Sequence, residues 1–230
     1  MKVAAISILA MVFGLCSTGR AVVFSYLDNP IEDATVDSVL SSMNFGGEET
    51  LRVQGYSEFP AIYSLGSMKR VYLKFDLSVI PVWAEIVSAE FGIFFAQGNQ
   101  GGAATVDPHA ALYIVKDDSW QEMDITWDLR PDYEPGYVHR ETPLAQEGVY
   151  YTWNLLSDMG QNSWKDHQLD IQDGFLSLML LAPDADLNNY AIFNSSEAAS
   201  NLPYLSIGYV PEPGTLVMLG LGVVWIRRRK

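Results

Sequence analysis

The chain has few cations, three histidines and a single cysteine. Only 14 of its 230 residues are Lys or Arg, against 28 Asp and Glu, and the formal net charge is −14. Six of these cations lie at the two ends of the chain, so only eight remain in the body. A body this acidic repels phosphate backbones, which argues against nucleic acid as a partner.

The sequence also lacks the usual signatures of an enzyme. The histidines at 109, 139 and 167 have no metal-binding spacing such as HExxH, and there is no GxSxG nucleophile motif. We therefore expect no catalytic residues and no certain cofactor. Paired carboxylates of the kind that hydrolyse glycosidic bonds remain an alternative, because two acids can meet in space without any sequence pattern.

The N-terminus predicts a secretory leader at residues 1–21. Lys2 precedes an apolar run over residues 3–16, and Ala21 is a small residue that suits a signal peptidase. Cleavage after Ala21 removes Cys16, the only cysteine. The exported domain would then have no disulfide and would depend on core packing for its stability.

The C-terminal tail has no apolar run long enough for a standard membrane span. Residues 215–226 predict a short apolar helix of about 18 Å, whereas a bilayer core is about 30 Å thick. Four cations follow at 227–230 and would stay on the cytoplasmic side. This pattern predicts transient contact with the inner membrane, and a permanent single-span anchor is the alternative.

The tail carries three parts in a fixed order over residues 210–230. Val-Pro-Glu-Pro, with Pro211, Glu212 and Pro213, precedes the apolar stretch, and the basic end contains Arg227, Arg228 and Arg229. This order resembles the PEP-CTERM sorting signal. The resemblance implies export across the inner membrane of a Gram-negative bacterium and cleavage by an exosortase near Pro211 to Pro213. The product would reach the cell surface or the extracellular matrix.

Residues 22–209 show the alternation of apolar and polar residues that is typical of half-buried strands. In RVYLKFDL, residues 70–77, the odd-numbered apolar residues face one way and the two cations face the other. Similar patterns predict nine short strands separated by Gly, Pro, Asn and Asp clusters. They favour an all-β fold, a jelly-roll-like two-sheet β-sandwich. One or two helical turns are expected within residues 155–167.

Several landmarks are spread over the same body. They are Asn44-Phe45-Gly46 before Leu51-Arg52-Val53, Phe75-Asp76-Leu77-Ser78 with Ile80-Pro81, Trp120 and Glu122 ahead of Thr126-Trp127 and Pro131, and Ser196-Glu197 before Pro203. They resemble the DNRLRE domain family, which is related to the family 96 carbohydrate-binding modules. The resemblance implies a jelly-roll-like sandwich that binds extracellular polysaccharide, with uronic-acid polymers among the ligands. The chain departs from the family at residues 194–197, where an arginine usually follows the serine.

Candidate ligand-binding residues fall into two groups. Flat aromatic rings stack on pyranose rings, and four tyrosines are predicted to lie in loops: Tyr56, Tyr63, Tyr133 and Tyr137. An acidic polymer also needs cations, and outward positions on adjacent strands predict a small basic strip: Arg52, Arg70 and Lys74. The alternatives are solvated loops and a solvated sheet face. Trp120 and Trp127 are more typical of core packing.

A structural calcium ion is a further expectation. Asp184, Asp186 and Asn188 have the alternate-residue spacing of the first half of a calcium loop, although the second half is not matched. The alternative is a polar hairpin loop. Three acids near the first predicted strand follow no spacing rule but also suit an ion: Asp28, Asp33 and Asp37.

These observations favour a secreted or surface-displayed, non-catalytic protein that binds polysaccharide. Signal peptidase and an exosortase would be its partners during export, and extracellular polysaccharide its partner afterwards. The alternative is a structural component of the matrix or surface layer that recognises no specific sugar. A polysaccharide-degrading enzyme is a third and more distant alternative.

Overall fold

The computed structural model describes residues 23–55, 67–98, 108–133, 142–156, 173–182 and 190–210. These residues form eleven strands and no helix, which confirms the predicted all-β class. The strands are β1 (Phe24–Asp28), β2 (Glu32–Asp37), β3 (Thr50–Gln54), β4 (Lys69–Asp76), β5 (Glu85–Gly98), β6 (His109–Val115), β7 (Thr142–Pro143), β8 (Val149–Asn154), β9 (Phe175–Leu181), β10 (Tyr190–Asn194) and β11 (Tyr204–Val210).

Several predicted features fall outside this part of the chain. The leader and the sorting tail lie outside the described residues, and so do most of the predicted helical turns at 155–167. Within the described ranges, no helix has the length and apolar character needed to cross a membrane.

All strand pairs are antiparallel and belong to one curled path. The order is β1-β11-β5-β10-β3-β4-β9-β6-β7, with β2 added to β4 and β8 added to β5. The path joins the two ends of the domain, because Phe24 of β1 lies opposite Tyr209 of β11. The strands are therefore connected without a break, and their division into two sheets of a jelly roll stays a prediction.

The predicted inward face of β4 is confirmed, but the strand is buried on both faces and not half-buried as expected. Val71, Leu73 and Phe75 are fully buried in the main core, which is built from the inward faces of most strands. Trp153 of β8 stacks on Phe91 with ring centroids 5.8 Å apart and is also fully buried. Each such side chain contributes about 1.5–3 kcal/mol by leaving water. Apolar packing is thus the main stabilising interaction of the described residues.

A second, smaller core lies on the opposite face of β4. Tyr72, which stands between the two outward cations, packs there with Val36 of β2 and Met179 of β9. Trp120 and Ile125 close this core from above. They belong to the covering segment, which we define as residues 116–133 and which contains no strand.

Hydrogen bonds hold the covering segment on the sheet. Trp120 Nε1 donates to Ser177 Oγ at 3.1 Å, and the Tyr72 hydroxyl donates to the Pro131 carbonyl at 3.1 Å. At the far side, Asn44 Nδ2 donates to the carbonyls of Glu122 and Ile125, both at 2.7 Å. The outer face of β4 is therefore a covered surface along most of its length.

Candidate functional site

Lys74 lies beneath the covering segment. Its ammonium group is 2.7 Å from a carboxylate oxygen of Glu32, and it donates to the backbone carbonyls of Asp118 and Trp120. The ammonium also lies 4.8 Å from the centre of the Trp120 ring, and only 6% of the residue is exposed. All of these partners of Lys74 belong to the protein itself. Lys74 therefore holds the covering segment on β4 through its hydrogen bonds and its charge.

Arg70, at the other end of β4, meets the aromatic rings of the covering segment. Its guanidinium carbon lies 5.1 Å from the ring centre of Trp127 and 5.1 Å from that of Tyr133. The Arg130 guanidinium lies 3.9 Å from the same Trp127 ring. We call these four residues the cation–aromatic cluster. Such contacts contribute about 0.5–2 kcal/mol each and hold the guanidinium planes in fixed places.

The two guanidinium groups of the cluster influence each other. Partial burial lowers the pKa of Arg130, and the positive charge of Arg70 lowers it further. Asp132 and Asp128 act in the opposite direction. The Nε atoms of Arg70 and Arg130 are buried and meet no acceptor within the described residues. A ligand carboxylate can accept hydrogen bonds from such planar groups in pairs, and it would offset their repulsion.

An open cavity of about 310 Å³ lies along the covering segment, and its lining includes Leu129 and Pro131, the sequence neighbours of Arg130. Its lining combines carboxylates, an amide, a hydroxyl and one aromatic ring: Asp117, Ser119, Trp120, Gln121, Asp124, Ile125, Leu129 and Pro131. Hydrogen bonds from Ser119 lower the pKa of Asp117, which keeps this exposed acceptor ionised. Convergent polar groups on a partly apolar wall suit hydroxyl-rich ligands.

The three residues of the predicted basic strip meet different partners in the structure. Arg52 on β3 stacks on Tyr190 at 4.8 Å and lies opposite Ile192, whereas Arg70 meets Trp127 and Tyr133. Tyr133 is the one predicted loop tyrosine within the described ranges, and it joins Arg70. The other three lie outside the described residues: Tyr56, Tyr63 and Tyr137.

Sequence reasoning did not find Arg130 as a site residue. It follows Trp127 by three positions in a turn where the Leu129 amide donates to the Thr126 carbonyl at 3.3 Å. A turn of this kind brings residues three apart onto one side. The run Trp-Asp-Leu-Arg-Pro indicates that Arg130 lies near Trp127. The contact of Trp127 with Arg70 could not be predicted, because Arg70 belongs to β4, which is far away in sequence.

A group of three acids is the second chemical feature of the structure. One carboxylate oxygen each of Asp33, Glu122 and Glu197 lies within 4.8 Å of the other two. Asp33 is 1% and Glu122 4% exposed. Burial raises the pKa of Asp33 to about 7, and Glu197 and Glu122 raise it as well, against a hydrogen bond from the Ser196 amide at 2.8 Å. We call these residues the carboxylate cluster.

The carboxylate cluster differs from the predicted calcium loop. Asp184, Asp186 and Asn188 lie outside the described residues, so that prediction remains as it was. Asp33 was among the acids without a spacing rule, and Glu122 and Glu197 stood out only as landmarks. Their meeting could not be predicted because they come from β2, the covering segment and the turn after β10.

Comparison with known proteins agrees with the geometry. The model of carbohydrate-binding module family 96 matches residues 25–209, and the PEP-CTERM protein-sorting motif matches residues 210–230. A gellan lyase from Bacillus sp. is 26% identical over 221 residues, which cover 92% of this chain. The chain spans only 8% of the length of that lyase. The chain belongs to carbohydrate-binding module family 96 and ends in a PEP-CTERM sorting motif.

Proposed function

We propose that this protein is a non-catalytic polysaccharide-binding protein that an exosortase sorts to the cell surface or the extracellular matrix. The observation that carries the proposal is the cation–aromatic cluster, three members of which belong to the covering segment that also lines the open cavity. Two guanidinium groups offer donors for a carboxylate, and the cavity offers acceptors for hydroxyl groups. We propose that the domain around them is a two-layer jelly roll.

The ligand class follows from the charges around the cluster. Asp128 and Asp132 flank Arg130, and Asp117 and Asp124 line the cavity, so the surface is not uniformly basic. A polymer with a carboxylate on every sugar would meet these acids and be repelled. A polysaccharide with uronic acids spaced among neutral sugars fits better, because its carboxylate can face the guanidinium groups while hydroxyl groups face the cavity.

The match to a gellan lyase supports our proposal that this chain binds polysaccharide and does not cleave it. Carbohydrate-binding modules accompany catalytic units, and the shared region spans 8% of that lyase. A catalytic role would require activity on polysaccharide by this chain itself. Incubation of the purified chain with a panel of acidic and neutral polysaccharides, followed by an assay for new reducing ends or unsaturated sugars, tests this directly. We expect no product.

Binding is tested by affinity gel electrophoresis and calorimetry on the same panel. We expect Arg70→Ala and Arg130→Ala each to weaken binding of the acidic heteropolysaccharide about 10- to 100-fold, the effect of losing a charged hydrogen bond. Arg52→Ala is the matched comparison, because Arg52 also stacks on a tyrosine but at another place. If only Arg52→Ala lost binding, the binding site would lie at β3 and not at the cation–aromatic cluster. Absence of binding to every polymer would favour a structural role in the matrix.

Sorting is tested on the mature protein. Mass spectrometry of the chain recovered from the extracellular fraction should give a C-terminus near Pro211 to Pro213. Deletion of an exosortase gene should leave the unprocessed chain with the membrane fraction. A mature chain that still ends in the four basic residues would contradict exosortase processing.

A further inference from the structure

The carboxylate cluster concentrates negative charge in a mostly buried place. Asp33 and Glu122 are almost fully buried, and Glu197 is half-buried. Like charges less than 5 Å apart repel strongly where water is excluded. Such an arrangement persists in a folded protein only when protons or a cation neutralise it.

A second observation concerns Asp33 alone. Its Oδ2 atom accepts a hydrogen bond from the Ser196 amide at 2.8 Å, whereas its Oδ1 atom is buried and meets no donor among the residues that the structure describes. Buried carboxylate oxygens in native proteins are satisfied by donors, by ordered water or by metal ions. Asp33 Oδ1, next to two further carboxylates, has the surroundings of a metal ligand.

The neighbouring residues fix the carboxylates in place. Ser196 Oγ donates to Glu197 Oε2 at 3.0 Å, and the Glu197 amide donates to Ser195 Oγ at 3.2 Å. At Gly46, a Cβ atom would lie 2.3 Å from the Glu122 carbonyl oxygen, so only glycine allows the turn before β3 to approach so closely. Contacts that orient ligand side chains in this way are a regular part of metal sites.

We propose that Asp33, Glu122 and Glu197 bind one Ca²⁺ ion that joins β2, the covering segment and the turn after β10. Ca²⁺ binds carboxylate oxygens at about 2.3–2.6 Å, so two oxygens on one ion lie at most about 5 Å apart. The 4.8 Å limit within the cluster agrees with this geometry. Mg²⁺ demands a near-ideal octahedron of ligands and releases its water reluctantly, whereas Ca²⁺ accepts irregular sets of carboxylate oxygens. The absence of sulfur and imidazole from these three residues favours a hard cation over Zn²⁺.

The test is a metal titration of the purified full chain after treatment with a chelator. We expect calorimetry to show one Ca²⁺ per chain. At a free Ca²⁺ concentration 100 times the dissociation constant, the melting temperature should rise by about 5–10 °C over the value in EDTA. Mg²⁺ at the same concentration should give a smaller rise.

Variants assign the ion to the cluster. Asp33→Asn and Glu197→Gln should each weaken Ca²⁺ binding at least about 10-fold and remove at least about half of the rise in melting temperature. Both should remain folded in EDTA, because each removes one of three repelling charges. Glu85→Gln, which neutralises an exposed acid at the start of β5, is the matched control and should bind Ca²⁺ like the wild type.

Three results would overturn the proposal. The first is a melting temperature that does not respond to Ca²⁺. The second is Ca²⁺ binding that survives in both cluster variants. The third is binding lost only in an Asp184→Asn, Asp186→Asn double variant, which would place the ion in the loop that the sequence spacing predicts. Glycan binding is measured separately, so failure of the metal site and failure of the proposed function are distinguishable.

Discussion

Replacement of Lys74 by methionine separates its structural role from ligand binding. Sequence alternation places Lys74 beside Arg70 as an outward cation, but the structure buries it under Trp120. Methionine keeps an unbranched apolar stem against the ring and removes the charge. The variant therefore loses the contact with Glu32 and the bonds to the carbonyls of Asp118 and Trp120.

The expected cost is about 3 kcal/mol of unfolding free energy. Breaking a buried ion pair by removing one partner costs about 3–5 kcal/mol. The lower end applies because a quarter of the Glu32 side chain is exposed, although its Oε2 atom, which pairs with Lys74, is buried. For a domain of this size, about 3 kcal/mol corresponds to a fall in melting temperature of about 6–12 °C.

Urea unfolding followed by tryptophan fluorescence measures this cost. The midpoint should fall without a change in the denaturant slope, because the surface exposed on unfolding stays the same. At a temperature where the variant is folded, its glycan affinity should equal that of the wild type. A stability change below about 0.5 kcal/mol, or a folded variant that no longer binds glycan, would refute the structural assignment of Lys74.

Three further perturbations test other contacts. Gly46→Ala should lower the unfolding free energy by about 1–3 kcal/mol, because the added Cβ would lie 2.3 Å from the Glu122 carbonyl oxygen. An unchanged melting temperature would contradict that close approach. Burial raises the folded-state pKa of Asp118 to about 6, and Asp173 adds to the rise, so ionisation of Asp118 costs stability above that pH. Asp118→Asn should therefore stabilise the protein at pH 7.5, by less than about 1 kcal/mol once solvent screening is taken into account. At pH 3.5, below the unfolded-state pKa, it should have no such effect. Urea unfolding at both pH values measures this difference, and equal effects would contradict it. Raising the ionic strength from about 0.01 M to about 0.15 M shortens the screening length from about 30 to about 8 Å. The net charge of −14 repels an acidic polysaccharide at long range, so the affinity for that polymer should stay the same or rise. A steep fall in affinity, measured by calorimetry, would mean that a broad basic surface binds the polymer.

The fold class could be predicted because alternation is a local property. β4, β5 and β9 repeat apolar residues at every second position, and these residues are buried, although in β4 and β9 the residues between them are buried as well. Two strands could not be predicted in this way. In β1, Leu27 is 66% exposed while Tyr26 is buried, so the residues that look apolar do not share a face. β7 has only two residues, too few for any period.

The site could be predicted only in part, because alternation does not show what covers the outer face of a strand. Arg70 and Lys74 both point away from the main core as expected. Tyr72 between them is the signal that a second apolar layer lies on that face, and it is ambiguous in the sequence alone. Whether a cation on this face meets solvent or a tryptophan depends on the covering segment, which comes from a different part of the chain.

The pairing of the body cations distinguishes the positions that stabilise the fold from those that we propose to bind ligand. Lys69 pairs with Asp37, and Lys74 pairs with Glu32. With 28 acids in the chain, a cation whose role is stability has many carboxylates available to it. Arg70 and Arg130 instead lie on the same indole ring, where partial burial and the positive charge of Arg70 lower the pKa of Arg130. Repulsion between these two like charges opposes part of the stability that their ring contacts contribute. Departures of this kind concentrate at functional sites, because the bound ligand supplies the compensating charge.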